Sequence, residues 1–173
     1  MKSNTEKSFR DKWEMNSKSF LKDVLLEGSN TQNWILNRNG FRNLSEFKKF
    51  LSNKKRILDA GCGNGRVTAL LCECSSFESQ LMGVDLVSSE VASENLKEID
   101  NVTFKEANLV EDLSGLGLFD FIYCQEVLHH TIDPFRAFGN LCKLLLDGGE
   151  IAIYVYKKKS PVREFVDDLI RDK

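Results

Sequence analysis

The chain lacks a surplus of charge of either sign, a long apolar run, and any repeat or low-complexity segment; histidine is nearly absent. Its 24 Lys and Arg against 26 Asp and Glu leave a formal charge of −2. The polyelectrolyte attraction that drives general nucleic-acid binding is therefore missing, and the cluster Lys157, Lys158 and Lys159 reads as a solvated loop. Met1 to Asn16 is polar and charged, unlike a secretory signal, and no stretch approaches the roughly 20 apolar residues that span a bilayer. We expect a cytoplasmic protein with neither a nucleic-acid nor a membrane partner. Two histidines give little support to a zinc site around Cys72-x-Cys74, so no metal is assigned. The five cysteines, at 62, 72, 74, 124 and 142, are odd in number and unevenly spaced. They read as reduced small hydrophobes rather than a disulfide framework.

What is present suffices for one core: 173 residues, 42% of them hydrophobic. The first fifty residues carry helical spacing: Phe9 and Trp13, then Phe20, Leu21, Val24 and Leu25, then Trp34 and Ile35. After a break at Asn39-Gly40 the pattern resumes with Leu44, Phe47, Phe50 and Leu51. From residue 56 short apolar strands alternate with amphipathic helices, which predicts an α/β fold, a parallel sheet with helices on both faces. A boundary near Ser52 separates a helical N-terminal cap (1–52) from the α/β domain (53–173). Strands are expected over 56–60, 81–86, 102–105, 118–124 and 150–156. Asp133 is expected to cap a helix beginning at Pro134, and Gly148-Gly149 to close that unit before the last strand.

The first strand runs into Asp59-Ala60-Gly61-Cys62-Gly63-Asn64-Gly65-Arg66. Glycines 61, 63 and 65 let the backbone lie close against a ligand and adopt dihedrals closed to other residues. A dinucleotide fingerprint has a third glycine where this chain has Arg66. S-adenosylmethionine has no phosphate but carries an ammonium and a carboxylate, for which Asp59 and Arg66 supply the complementary charges. Asp85 follows twenty residues after Gly65, at the end of the second strand. It can accept from both ribose hydroxyls or cap the following helix, and the residues leave both roles open.

Four blocks stand in order from about Lys55 to Tyr156: ILDAGCGNGR, GVDL, VTFKEANL and FDFIYCQEVLHHTIDPFRAFGNLCKLLLDGGEIAIYVY. Together they resemble the class I S-adenosylmethionine-dependent methyltransferases, and most closely the group that includes the ubiquinone/menaquinone enzymes. The resemblance implies a Rossmann-like sheet, with Asp59, Gly61, Cys62 and Gly63 around the methionine part of S-adenosylmethionine. It implies Asp85 on the ribose, Leu86 against adenine, Asn108 and Leu109 at the adenine edge, and the backbone of Gln125 facing the methionine ammonium. The family often has Asp where this chain has Asn108; the amide oxygen can still accept from the adenine amino group.

Glu126, His129 and His130 follow the fourth strand, on the carboxyl edge where ligands of open α/β sheets collect. His129 and His130 are the candidate catalytic bases, since a histidine near its ordinary pKa of about 6.5 can take a proton from an acceptor. The resemblance favours the other role, a structural one that holds backbone or carboxylates. Because a sulfonium is already activated, positioning does most of the catalysis, and the small-molecule acceptor is not readable from these motifs. Two rivals remain: a cofactor-binding module without turnover, such as a truncated domain, and a nicotinamide-dependent oxidoreductase, which Arg66 and Asp59 disfavour. The family core has two further strands, whereas seventeen residues follow Tyr156, with an apolar stripe at Val162, Phe165, Val166, Leu169 and Ile170. We therefore expect a shortened sequence, or a homodimer formed through the edge of strand five.

Overall fold

A computed structural model describes residues 19–156. Phe9, Trp13, the three lysines and the apolar stripe after Pro161 lie outside the described residues. Three short helices come first: α1 (Ser19–Leu25), α2 (Asn30–Arg38) and α3 (Leu44–Leu51). The starts of α2 and α3 follow from capping chemistry. Ser29 accepts from the Gln32 N–H and Asn43 from the Glu46 N–H, each satisfying a helix-end donor that has no partner within its own helix. Buried Gln32 ties α2 back to α1, donating to the Val24 carbonyl at 3.0 Å and accepting from the Gly28 N–H at 3.1 Å.

The remaining elements are β1 (Arg56–Ala60), α4 (Arg66–Cys74), β2 (Gln80–Asp85), α5 (Ser89–Asn95), β3 (Val102–Glu106), β4 (Phe119–Gln125), α6 (Pro134–Cys142) and β5 (Leu145–Tyr154). The strands pair in parallel in the order β3-β2-β1-β4-β5, as expected of a Rossmann-like sheet. The order reverses between β1 and β4, so the carboxyl ends of these two strands open a crevice. Successive side chains alternate between the sheet's faces. Ile57, Phe121 and Tyr123 join one apolar cluster with Val24, Ile35, Leu36, Phe47 and Leu51 of the N-terminal helices and Leu70 and Leu71 of α4. Leu58, Ile122 and Cys124 join the opposite cluster with Ala137 and Leu141 of α6. Each such side chain, fully buried, contributes about 1.5–3 kcal/mol of transfer free energy. The three N-terminal helices thus share one core with the sheet.

Strand ends shift by one or two residues from the sequence reading, β2 to 80–85, β4 to 119–125 and the end of β5 to Tyr154, and two elements differ by more. The last strand starts at Leu145 and passes through Gly148-Gly149, instead of beginning after them. The ladder slips between the pairs Phe119–Leu145 and Phe121–Glu150, and Gly148 (φ +76) takes up the extra residues as a bulge. The helix after β2 ends at Asn95, so Leu96 packs from its C-cap and Ile99 lies beyond it. Asp133 does cap α6, accepting from the Arg136 N–H, with Pro134 in its first turn. All five cysteines are free thiols. Among the described residues no helix is long and apolar enough to cross a membrane.

Candidate functional site

The chain turns sharply where β1 ends, and backbone bonds fix the turn. The Gly61 and Cys62 N–H groups both donate to the Val84 carbonyl, at 2.7 and 3.0 Å, and Gly65 N–H donates to Cys62 at 2.9 Å. Gly61, Gly63 and Gly65 all have positive φ, the conformation that a side chain disfavours. At two of them the missing side chain also makes room for protein. A Cβ on Gly61 would lie 2.2 Å from Val127 Cγ2, and one on Gly65 would lie 3.1 Å from Leu96 Cδ1 and 3.3 Å from Ala92 Cβ. The clearance at 61 and 65 is thus used by the Val127 loop and by α5. Cys62 is buried in this turn, and desolvation, followed by the charges of Asp59 and Asp85, pushes its thiol far up. It is therefore no nucleophile.

Asp59 lies beneath the turn, only 3% exposed. Its carboxylate accepts from Thr68 Oγ1 of α4 at 2.6 Å. Burial raises its pKa to about 7, against the lowering by the Thr68 hydrogen bonds, with the charge of Asp85 adding to the rise. Asp85 binds both sides of the crevice floor. One oxygen accepts from Gly63 N–H at 3.0 Å, and the other from Val87 and Ser88 N–H at 2.9 and 3.0 Å. Val87 and Ser88 both precede α5, whose N-cap is Ser88, so Asp85 does not cap the helix; it links the glycine turn to the loop that leads into α5. Beside it Leu86 is 40% exposed, and the buried Ser88 hydroxyl has no hydrogen-bond partner among the described residues.

Asn108 accepts from Val110 N–H and donates to Glu111. The Leu109 side chain belongs to the core, and its carbonyl accepts from Asn140. Asp85 thus spends its carboxylate on backbone donors and Leu86 is exposed, while Leu109 turns its side chain into the core.

Across the crevice, at the carboxyl end of β4, long side chains do the holding. Gln125 Oε1 accepts from the Tyr123 hydroxyl and, at 3.0 Å, from Asn39 Nδ2, which also bonds Tyr123 Oη at 2.5 Å. Glu126 follows with φ 62, a left-handed conformation rare for a side-chain-bearing residue and concentrated at functional sites. Its carboxylate pairs with Arg38 at the end of α2. The Arg38 guanidinium carbon lies 4.3 Å from the ring centroids of both Trp34 and Tyr154, and 5.9 Å from that of Tyr156. Arg66, first residue of α4, brings a second guanidinium to within 5.7 Å of Trp34. Burial lowers its pKa, opposed by the charges of Glu126 and Asp23.

His129 and His130 sit on a single helical turn after β4, their rings 4.1 Å apart. His129 is also 4.6 Å from Tyr156, and neither of its buried ring nitrogens has a hydrogen-bond partner among the described residues. Burial, then the neighbouring His130, lowers its pKa, which favours the neutral ring. Among the described residues His129 thus holds neither backbone nor a carboxylate. Trp34, Arg38, Asn39, Tyr154 and Tyr156 were not singled out as site residues from the sequence. The four-residue spacing of Trp34 and Arg38 was the available signal, since it puts both on one face of α2.

Comparison with known proteins agrees with this architecture. Residues 33–169 match a family model described as a methyltransferase domain. A ubiquinone biosynthesis O-methyltransferase of Coxiella burnetii is 29% identical over 100 residues, 56% of this chain and 42% of that enzyme. An uncharacterized Synechococcus protein is 36% identical over 107 residues, 60% of this chain and 26% of its own length. The chain thus spans less than half of these curated relatives. Among solved structures, the N-methyltransferase NodS of Bradyrhizobium japonicum, in complex with S-adenosyl-L-homocysteine, shares the fold. Its TM-score is 0.67 at 20% identity, covering 87% of this chain and 72% of that one.

Proposed function

The chain belongs to the methyltransferase-domain family, in its class I S-adenosylmethionine-dependent form, and on that premise we propose that it methylates a small-molecule acceptor from S-adenosylmethionine. The observation that carries the reading is the crevice floor, where the Asp85 carboxylate joins the glycine turn to the loop that leads into α5. A carboxylate offers about four lone-pair directions, and three backbone donors leave capacity for a ribose hydroxyl. The exposed face of Leu86 suits the flat apolar adenine. These groups fit an adenosyl compound.

In this reading Gly61, Cys62 and Gly63 present the turn to the methionine part, with Asp59 supporting it from below and Arg66 receiving the carboxylate. Asn108 and Leu109 border adenine, the latter through its backbone, and Gln125 presents its main chain to the ammonium. When bound, the cofactor supplies a methyl group already activated on a sulfonium, so the protein's share is to hold the acceptor in line and exclude water. His129, which has no hydrogen-bond partner among the described residues, is the base that we assign to the acceptor's proton, and His130 borders it.

Calorimetric titration with S-adenosylhomocysteine and with NAD tests the reading. We expect the first to bind and the second not to. Uptake of NAD with no response to S-adenosylhomocysteine would overturn it.

A further inference from the structure

The guanidinium of Arg38 occupies a box that a ligand could also fill. Trp34, Tyr154 and Tyr156 offer ring faces, and Glu126 supplies a carboxylate. Aromatic faces with one carboxylate are the chemistry that holds organic cations: the ring quadrupole attracts positive charge and the acid neutralises it. The present occupant shows which sign of charge the box accepts. Arg38 is the last residue of α2 and only part-buried, so its long side chain can leave for solvent. Exchange of one cation for another leaves the electrostatics of the box nearly unchanged.

Two independent features set this cluster apart from a plain latch. Glu126 holds its carboxylate there from a left-handed backbone conformation that a purely structural contact does not require. His129, whose two ring nitrogens lack hydrogen-bond partners among the described residues, lies tilted against Tyr156 at the box's edge.

We propose that this box is the acceptor subsite, and that the acceptor is an alkylamine whose ammonium takes the place that Arg38 holds here. The inference rests on the methyl-transfer reading and names the acceptor class within it. The bound ammonium gives one proton to His129, and the amine's freed lone pair forms the new nitrogen–carbon bond. The carbon–sulfur bond breaks with its electron pair staying on sulfur, and the product leaves as a more substituted ammonium.

Tetramethylammonium, which carries no transferable proton, is the probe, titrated into the full chain while the Trp34 indole resonance is followed by NMR. In the unaltered chain the probe shifts this resonance and the Arg38 side-chain signal together. In R38M it binds about tenfold more tightly, the factor for a box plugged about nine-tenths of the time. E126Q added to R38M weakens binding again, and tert-butanol, of similar size but neutral, does not compete. For a chain that does not tolerate methionine at 38, R38Q carries the same comparison. The inference is overturned if the probe binds R38M or R38Q no better than the unaltered chain, which makes the cluster a latch only, or if tert-butanol binds equally well. It is also overturned if acetate binds the unaltered chain and loses its site in R38M, which makes Arg38 an anion clamp. S-adenosylhomocysteine binding, measured alongside, separates the two readings: cofactor binding without ammonium binding sinks this inference and leaves methyl transfer standing.

Discussion

The two walls of the crevice are built by different means. On the β1–β2 side the main chain is fixed to itself: the turn hangs from the Val84 carbonyl, and Asp85 gathers three backbone N–H groups. On the β4–β5 side the contacts are between long side chains distant in sequence, Arg38 with Glu126 and Asn39 with Gln125. The first wall tolerates little change in shape, because a Cβ at Gly61 or Gly65 meets its packed neighbours. The second can rearrange by changing rotamers. One wall therefore suits a part of the reaction that is always the same, and the other a part that differs between proteins of one fold.

The largest effect expected from this contrast lies under the rigid wall. Burial holds Asp59 near pKa 7, against about 3.9 in an unfolded chain. The folded state therefore keeps a proton that the unfolded state has lost. Stability is full below about pH 4, falls as the pH rises toward 7 and levels off above, by an amount on the order of a few kcal/mol. Asp59→Asn keeps an acceptor for Thr68 and should flatten that profile, as urea unfolding between pH 4 and 8 will show. An unchanged slope would place the titrating group elsewhere.

Next in size is Gly61→Ala. It adds a left-handed penalty of roughly 1–2 kcal/mol to an overlap with Val127 of roughly 1–3 kcal/mol. A loss of about 2–5 kcal/mol in denaturant midpoints is expected, and a near-neutral result would mean that the turn yields as easily as the other wall.

Asp85→Ala should weaken S-adenosylhomocysteine binding by about 1.5–3 kcal/mol, the scale of hydrogen bonds to a charged group. An unaltered dissociation constant in calorimetry would remove Asp85 from the binding surface. The smallest expected change comes from the adaptable wall. Arg38→Met breaks a part-exposed ion pair and should cost no more than about 1 kcal/mol of stability. A loss matching that of Gly61→Ala would erase the distinction between the walls.

The same division decides what could be read from sequence. The strands and the glycine turn are local: Ile57-Leu58 is a short apolar run, Asp85 ends the next strand, and Asp133-Pro134 begins a helix, so composition and spacing suffice. The bulge at Gly148-Gly149 was taken for the end of a unit because a glycine pair usually breaks a ladder; here the ladder continues past it. Arg38 and Glu126 lie 88 positions apart, and nothing in either neighbourhood marks the other. Glu126's left-handed backbone was equally hidden, since a single dihedral leaves no mark in the spacing of side chains. Leu109 lies where the motif puts it, yet its side chain is committed to the core, a distinction that spacing cannot make.

A glycine with positive φ stands just outside each end of α2: Gly28 at +77 and Gly40 at +82, with no atom within 4 Å of where a Cβ would be. These two glycines turn the chain into and out of the helix, while Gln32, Ile35 and Leu36, buried against the core, hold its body. Arg38 and Asn39 sit at the same end, so one helix placement delivers both the guanidinium and the amide to the end of β4.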